Sequence, residues 1–260
     1  MSDVIIQAEF INMVKLSIVL PVYREAFRLA YSLNSVADFV NSMEGSEAIF
    51  VNDGSPDESA SVIQSYIKDN PELPFKLVSY ILNQGKGFAV KEGVIEAAGD
   101  LILMSDTDLS TPLADYKKLI KGIEAGADIV CGSRAVSGSE IGKDPPLLRR
   151  ILSRVFNILV RVSGVHGIRD TQCGFKLFKA EAAKMIFDKM CIRGFAFDVE
   201  LIARARASGF KVDEEPVHWN YSGHSTVRVF SNGSRMLFDV FMLALKRVFR
   251  GKRSLDVREE

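Results

Sequence analysis

The chain has 260 residues, 47% of them hydrophobic and 25% charged, ordinary globular proportions with enough apolar material for a substantial core. Its 33 Lys plus Arg balance 33 Asp plus Glu, so no overall field draws it to nucleic acid, and Cys131, Cys173 and Cys191 are too widely spaced for a CxxC metal site. The cysteines suit a reducing, cytosolic setting; acidic residues near the start argue against an export signal, and no run reaches the roughly 20 apolar residues of a spanning helix.

Residues 1–14 are expected to form a tail. After it, short β-rich runs alternate with stretches of helical period. "LSIVLPV" (16–22), "EAIFVND" (47–53), "KLVSYI" (76–81), "DLILMSD" (100–106) and "ADIVCGS" (127–133) have the length and branching of buried strands. Segments 26–43, 56–69, 86–98 and 112–125 between them are predicted helices. Such alternation builds βαβ units and a mainly parallel sheet, whose ligands lie beyond the carboxyl ends of the strands. Those ends carry Tyr23 and Glu25, Asn52 and Asp53, Asn83 and Lys86, Asp106 and Asp108, and Arg134.

The second half is less regular. A loop is predicted over 135–146, followed by an amphipathic helix over 147–163 with Leu147, Leu148, Ile151, Leu152 and Val155 opposite Arg149, Arg150, Ser153 and Arg154. An apolar run at 174–179, helices near 180–189 and 198–208, a strand within 210–219 and a last amphipathic helix over 231–250 complete the chain. From Arg228 to Arg253 basic residues face only Asp239, which suits either an anionic surface or a solvated helix face.

The dinucleotide fingerprint GxGxxG is absent after the first strand, and "NQGKGFAV" lacks P-loop spacing. In "LILMSDTDLSTPL" two carboxylates stand two apart at a strand end, on the same side of an extended chain. Alone, the pair reads either as a cap on the helix beginning near Pro112 or as oxygen donors for a hard cation shared with a diphosphate.

"PVYRE", "VNDGSPDES", "NQGKGFAVKEG" and "SDTDLSTP", in that order, resemble a family 2 glycosyltransferase of GT-A fold. "GSR" (132–134), "DTQCGFKLF" (170–178) and "GFAFDVEL" (194–201) narrow the resemblance to the dolichyl-phosphate β-glucosyltransferase branch, close to the polyprenyl- and dolichyl-phosphate mannose synthases. The resemblance covers roughly residues 15–230 and implies an α/β, Rossmann-like, mostly parallel sheet with helices on both faces. Residues 231–260 follow as a basic amphipathic helix and tail. One departure is Asn52, where the family usually has an aspartate.

The resemblance assigns Pro21, Tyr23, Glu25 and Asp53 to the nucleotide and Lys86 to the nucleotide or sugar. It makes Asp106 and Asp108 the ligands of Mg2+ or Mn2+ and places Arg134, Arg149, Ser153 and Arg228 on an acceptor phosphate. Asp108, Arg134 and Gln172 are the expected catalytic residues; Asp170, Asp198 and Glu200 are candidates to line the sugar and acceptor pockets beside Gln172. A lipid monophosphate is already ionised and needs no general base, and arginine suits it well. The implied activity is metal-dependent, inverting transfer of a hexose to polyprenyl or dolichyl monophosphate. The expected donor is UDP-glucose and the expected place is peripheral, on the cytosolic face of a membrane. The alternatives are GDP-mannose as donor, a hydroxyl acceptor served by Asp198 or Glu200 as base, and an inactive nucleotide-sugar-binding regulator.

Overall fold

The computed structural model describes residues 15–141, 160, 165, 167–220, 236–243 and 245. The predicted apolar runs become β1 (Leu16–Val22), β2 (Ser46–Asp53), β3 (Phe75–Tyr80), β4 (Leu101–Met104) and β5 (Ile129–Ser133). Along β1, Leu16, Ile18, Leu20 and Val22 enter one apolar core while Val19 enters the other. Successive side chains point to opposite faces, so a strand covered on both sides must be apolar throughout.

The helices α1 (Leu29–Asn41), α2 (Ser59–Asp69) and α4 (Tyr116–Glu124) close one face through Leu33, Val36, Ile63 and Leu119. On the other lie α3 (Lys86–Glu96), α5 (Ala180–Asp188) and α6 (Phe197–Ala207), through Val90, Val94, Phe187 and Leu201. Gly93 lets α3 approach the sheet: a Cβ there would lie 2.3 Å from Val19 Cγ1. Helical turns at 236–243 bury Val240 in this second core and leave Phe238 and Phe241 exposed.

The seven-stranded sheet runs β3-β2-β1-β4-β7-β5-β8, where β7 is Lys176–Lys179 and β8 is Val212–Pro216. Strand β7 is antiparallel to both neighbours, with Lys176 in register with Met104 and Cys131; the other pairs are parallel. Because β7 runs backwards, the segment entering it, Asp170–Phe175, arrives at the edge where β4 and β5 end. Strand β8 ends there too, and delivers residues 217–220. A two-stranded ribbon joins β6 (Glu140–Ile141) to β9 (His218–Trp219).

Four boundaries differ from the sequence expectation. β4 stops at Met104, before the two aspartates, and α1 starts at Leu29, leaving Phe27 almost wholly exposed. Residues 140–141 of the predicted loop pair as a strand, and the predicted strand over 210–219 divides at Val217. The predicted helix over 147–163 lies outside the described residues except Val160, which is helical and buried.

Candidate active site

Asp106 and Asp108 lie in the turn that β4 releases. Lys86, the first residue of α3, sets its Nζ 2.5 Å from Asp106 Oδ1. Burial pushes the Asp106 carboxyl up, but Lys86, with Lys176 and Arg134 behind it, holds it below the usual carboxylate range. Gly174 seats the same carboxylate from the other side: a Cβ there would fall 2.1 Å from Asp106 Oδ2. Asp108 accepts the Ser110 amide at 2.9 Å, an Asx turn. It caps neither α4 nor the 3-10 turn Leu113–Asp115, whose N-cap positions are Asp115 and Pro112. Between Asp108 and Ser110, Leu109 adopts φ +47°, a left-handed conformation costly for a bulky side chain and concentrated at functional sites.

The loops after β1 and β2 form the adjacent wall. Thr107 donates its hydroxyl to the Pro21 carbonyl at 2.7 Å, joining the aspartate turn to the end of β1. The Arg24 guanidinium covers the Tyr23 ring at 5.3 Å. Glu25 receives Arg28 Nε at 2.7 Å and Nη2 at 2.6 Å. Burial raises its pKa; Arg28 opposes that, and the charges of Asp108 and Asp106 add to it, so the three carboxylates share one field.

Asp53, expected at the nucleotide, turns its carboxylate to the loop after β3. Its carboxylate accepts Tyr80 Oη at 2.9 Å, Asn83 Nδ2 at 2.8 Å, Gln84 N at 2.7 Å and Gly85 N at 2.9 Å. A carboxylate has about four lone-pair sites, so these donors fill it, and Asp53 anchors the loop that precedes Lys86. Beside it, Asn52 donates to Ser79 Oγ at 2.9 Å and accepts the Ser55 amide at 3.3 Å. An ionised aspartate, the residue usual here in the resembled family, could accept the second of these but could not donate the first.

Across the edge, Arg134 leaves β5 and forks onto Asp170: Nε to Oδ2 at 2.6 Å and Nη2 to Oδ1 at 2.8 Å. The Arg134 guanidinium carbon lies over the Trp219 ring, 5.3 Å from its centroid. The Arg134 pKa is raised: burial alone lowers it, and Asp170 more than reverses that. From Asp170, which holds the arginine, the chain runs through Thr171 and Gln172 to Gly174, which abuts the Asp106 carboxylate. Thr171 Oγ1 and Gln172 Nε2 are buried, with no hydrogen-bond partner among the described residues. Beneath them, the wholly buried Lys176 donates to Asp198 Oδ1 at 2.6 Å and to the Cys173 carbonyl at 2.5 Å.

Glu200 accepts the Ile192 amide at 2.6 Å, the Cys191 amide at 3.0 Å and Arg204 Nε at 2.7 Å; it ties down the loop before α6. Arg149, Ser153 and Arg228 lie outside the described residues. Sequence reasoning missed Lys176 and Trp219. A lone lysine inside "GFKLF" was the available signal for the first; nothing local marks the second.

The chain matches the profile of Glycosyl transferase family 2 over residues 17–187. It is 38% identical over 243 residues to a dolichyl-phosphate beta-glucosyltransferase of Trichomonas vaginalis, an alignment covering 89% of this chain and 73% of the relative. To the dolichyl-phosphate beta-glucosyltransferase of Homo sapiens it is 32% identical over 244 residues, covering 89% and 75%. Among solved structures, glucosyl-3-phosphoglycerate synthase from Mycobacterium tuberculosis, in complex with Mn2+, UDP and phosphoglyceric acid, superposes with a TM-score of 0.64 at 16% identity. That alignment covers 90% of this chain and 78% of the synthase, and it carries the fold alone.

Proposed function

The chain belongs to glycosyl transferase family 2 and is a glycosyltransferase, and on that premise we propose that it transfers glucose from UDP-glucose to dolichyl or another polyprenyl monophosphate. The observation that carries the reading is the disposition of charge along one sheet edge. Two aspartates stand on the donor side, a clamped arginine stands on the other, and neither candidate base is available: Asp198 is held by Lys176, and Glu200 by Arg204 and two backbone amides. An acceptor hydroxyl needs a base, whereas a phosphate monoester is already ionised, so this arrangement favours phosphate. The names of the relatives support the same acceptor.

In this reading an acceptor phosphate oxygen attacks the anomeric carbon in line. The new O–C1 bond forms as the bond from C1 to the nucleotide diphosphate breaks, the configuration inverts, and no proton moves. Arg134 orients the attacking phosphate with the edge that Asp170 leaves over; Gln172 faces the sugar. Lys86 turns from Asp106 to the leaving diphosphate. Pro21, Tyr23 and Glu25 wall the nucleotide, and Asp53 acts by holding the loop that aims Lys86. The family resemblance adds Arg149, Ser153 and Arg228, which lie outside the described residues, as further candidates for the acceptor phosphate.

Among the described residues, no group of three or more His, Cys, Asp or Glu side chains is placed to hold a metal ion. Asp106 and Asp108 suit Mg2+ or Mn2+ as hard oxygen donors, with further oxygens drawn from a diphosphate. Such an ion, when bound, supplies charge neutralisation for the leaving group.

Among the described residues no helix is long and apolar enough to cross a membrane. The exposed Leu237, Phe238, Phe241 and Met242, within a basic stretch of sequence, support peripheral contact with an anionic cytosolic membrane face.

The test offers purified protein radiolabelled UDP-glucose or GDP-mannose, polyprenyl monophosphate and Mn2+, with and without chelator. Label is expected in the lipid phase from UDP-glucose, to disappear on chelation, and to fall about 100-fold or more in Asp106→Asn. Lipid labelling from neither donor sinks the proposal; labelling from GDP-mannose alone corrects the donor.

A further inference from the structure

We propose that Trp219 is the positioning residue for the acceptor arginine: it fixes the plane of Arg134 so that one edge of the guanidinium is presented to the acceptor phosphate. The inference rests on the acceptor role given to Arg134 above. A guanidinium has five N–H donors in a rigid fork. Asp170 takes Nε and one hydrogen of Nη2, and the guanidinium carbon lies over the Trp219 ring, 5.3 Å from its centroid. Among the described residues no hydrogen-bond acceptor takes Nη1, and that edge is left for an anion. The Asp170 pair alone sets the in-plane position but leaves a hinge about the carboxylate axis; the ring removes it.

Trp219 is well placed to do this because it is held on both sides. Before it, the His218 amide donates to Asp115 Oδ2 at 2.6 Å, and the imidazole lies 2.8 Å from Asp115 Oδ1 and 3.0 Å from Glu140 Oε2. Lys118 Nζ lies 3.0 Å from the same Nδ1. After it, the Asn220 amide donates to the Ser110 carbonyl at 2.8 Å. As part of β9, Trp219 is also in register with Ile141. The strap 217–220 thus runs from the end of β5, where the Val217 amide meets the Ser133 carbonyl at 3.1 Å, to the turn that carries Asp108. It ties the acceptor arginine and the donor aspartates to one stretch of backbone.

Trp219 is the only tryptophan of the chain, so its emission reports on this site alone. The experiment titrates a short-chain polyprenyl monophosphate in detergent micelles into the full chain and compares wild type with Trp219→Leu, Trp219→Phe and Arg134→Lys. The wild-type emission is expected to shift, and the shift to vanish in Arg134→Lys. Trp219→Leu should lower kcat/KM for the acceptor about three- to thirtyfold, the range of a partly desolvated cation–π contact, with the donor KM unchanged. Trp219→Phe, which keeps a ring, should recover most of the loss and serves alone where the leucine variant does not fold.

An acceptor kcat/KM within twofold of wild type in Trp219→Leu overturns the inference. So does a donor KM that rises in proportion in either variant, or an emission shift that survives Arg134→Lys. Wild-type protein that never labels the lipid refutes the acceptor reading itself, whereas an active wild type with an indifferent leucine variant refutes only the role of Trp219.

Discussion

Gly174 is a glycine for a reason that lies across the sheet edge: the Asp106 carboxylate occupies the space a side chain would need. Gly174→Ala is therefore expected to displace Asp106 by about 1 Å and to lower transfer about 100-fold, since misplacement on that scale costs that much. Initial rates beside a thermal melt check this; a fully active alanine variant would show that the carboxylate moves freely. Asp170 bears on pH. Burial raises its carboxyl and Arg134 more than reverses this, so it titrates below its ordinary 3.8 in the folded chain. The folded state then binds fewer protons there than the unfolded state, and the stability the pair contributes is lost as pH falls from the ordinary value through the folded one. Asp170→Asn is expected to cost about 3 kcal/mol at neutral pH by leaving Arg134 unpaired, and to lose less than wild type between about pH 5 and pH 3. Urea midpoints across that range decide it. The two aspartates, Lys86 and Arg134 were legible as candidates because each follows a strand closely or opens a helix. Their partners were not, since Lys86 and Asp106 are 20 residues apart in sequence and Arg134 and Asp170 are 36 apart.

Elements explain why those partners meet. The apolar run at 174–179 reads as a buried segment in sequence, but its direction is a property of the sheet. Placed antiparallel between β4 and β5, β7 turns its entry segment toward the site, and Lys176 is carried into the core with it. Lys176 and Asp198 of α6, both buried, then compensate one another. Lys176→Met alone is expected to cost about 3–5 kcal/mol, because Asp198 is left charged and unpaired. Adding Asp198→Leu should recover most of that, since apolar pairs of similar volume often replace buried ion pairs without loss. Chemical denaturation of the two single variants and the double gives the coupling. A double variant no more stable than Lys176→Met would mean that the pair is needed for more than mutual neutralisation. The same antiparallel strand explains why Gln172 was predicted as a site residue only through family resemblance: its motif follows no predicted strand end.

For the whole molecule, the charge repulsion of Asp106 and Asp108 is met by Lys86 in the free protein, so a divalent cation entering alone must compete with an ammonium already in contact. Mn2+ with UDP offers both a cation for the aspartates and a diphosphate for Lys86. We expect Mn2+ alone to leave the melting temperature within about 1 °C, and Mn2+ with UDP at about 100 times Kd to raise it by about 5–10 °C, from roughly 2.7 kcal/mol of linkage in a chain of this size. Differential scanning measurements test this; an equal rise with Mn2+ alone would mean a metal site complete in the protein.

Strand–helix alternation, the apolar strands and the polar residues at their ends are local properties, and local periodicity determines them before any packing occurs. They were enough to specify a mainly parallel α/β sheet and the edge on which to look for a site. The direction of β7, the filling of Asp53, the clamping of Arg134 and the burial of Lys176 were decided by the tertiary structure alone. Each depends on which distant donor or charge arrives beside a group and on how much water remains there, and neither is written in the residues next to it along the chain.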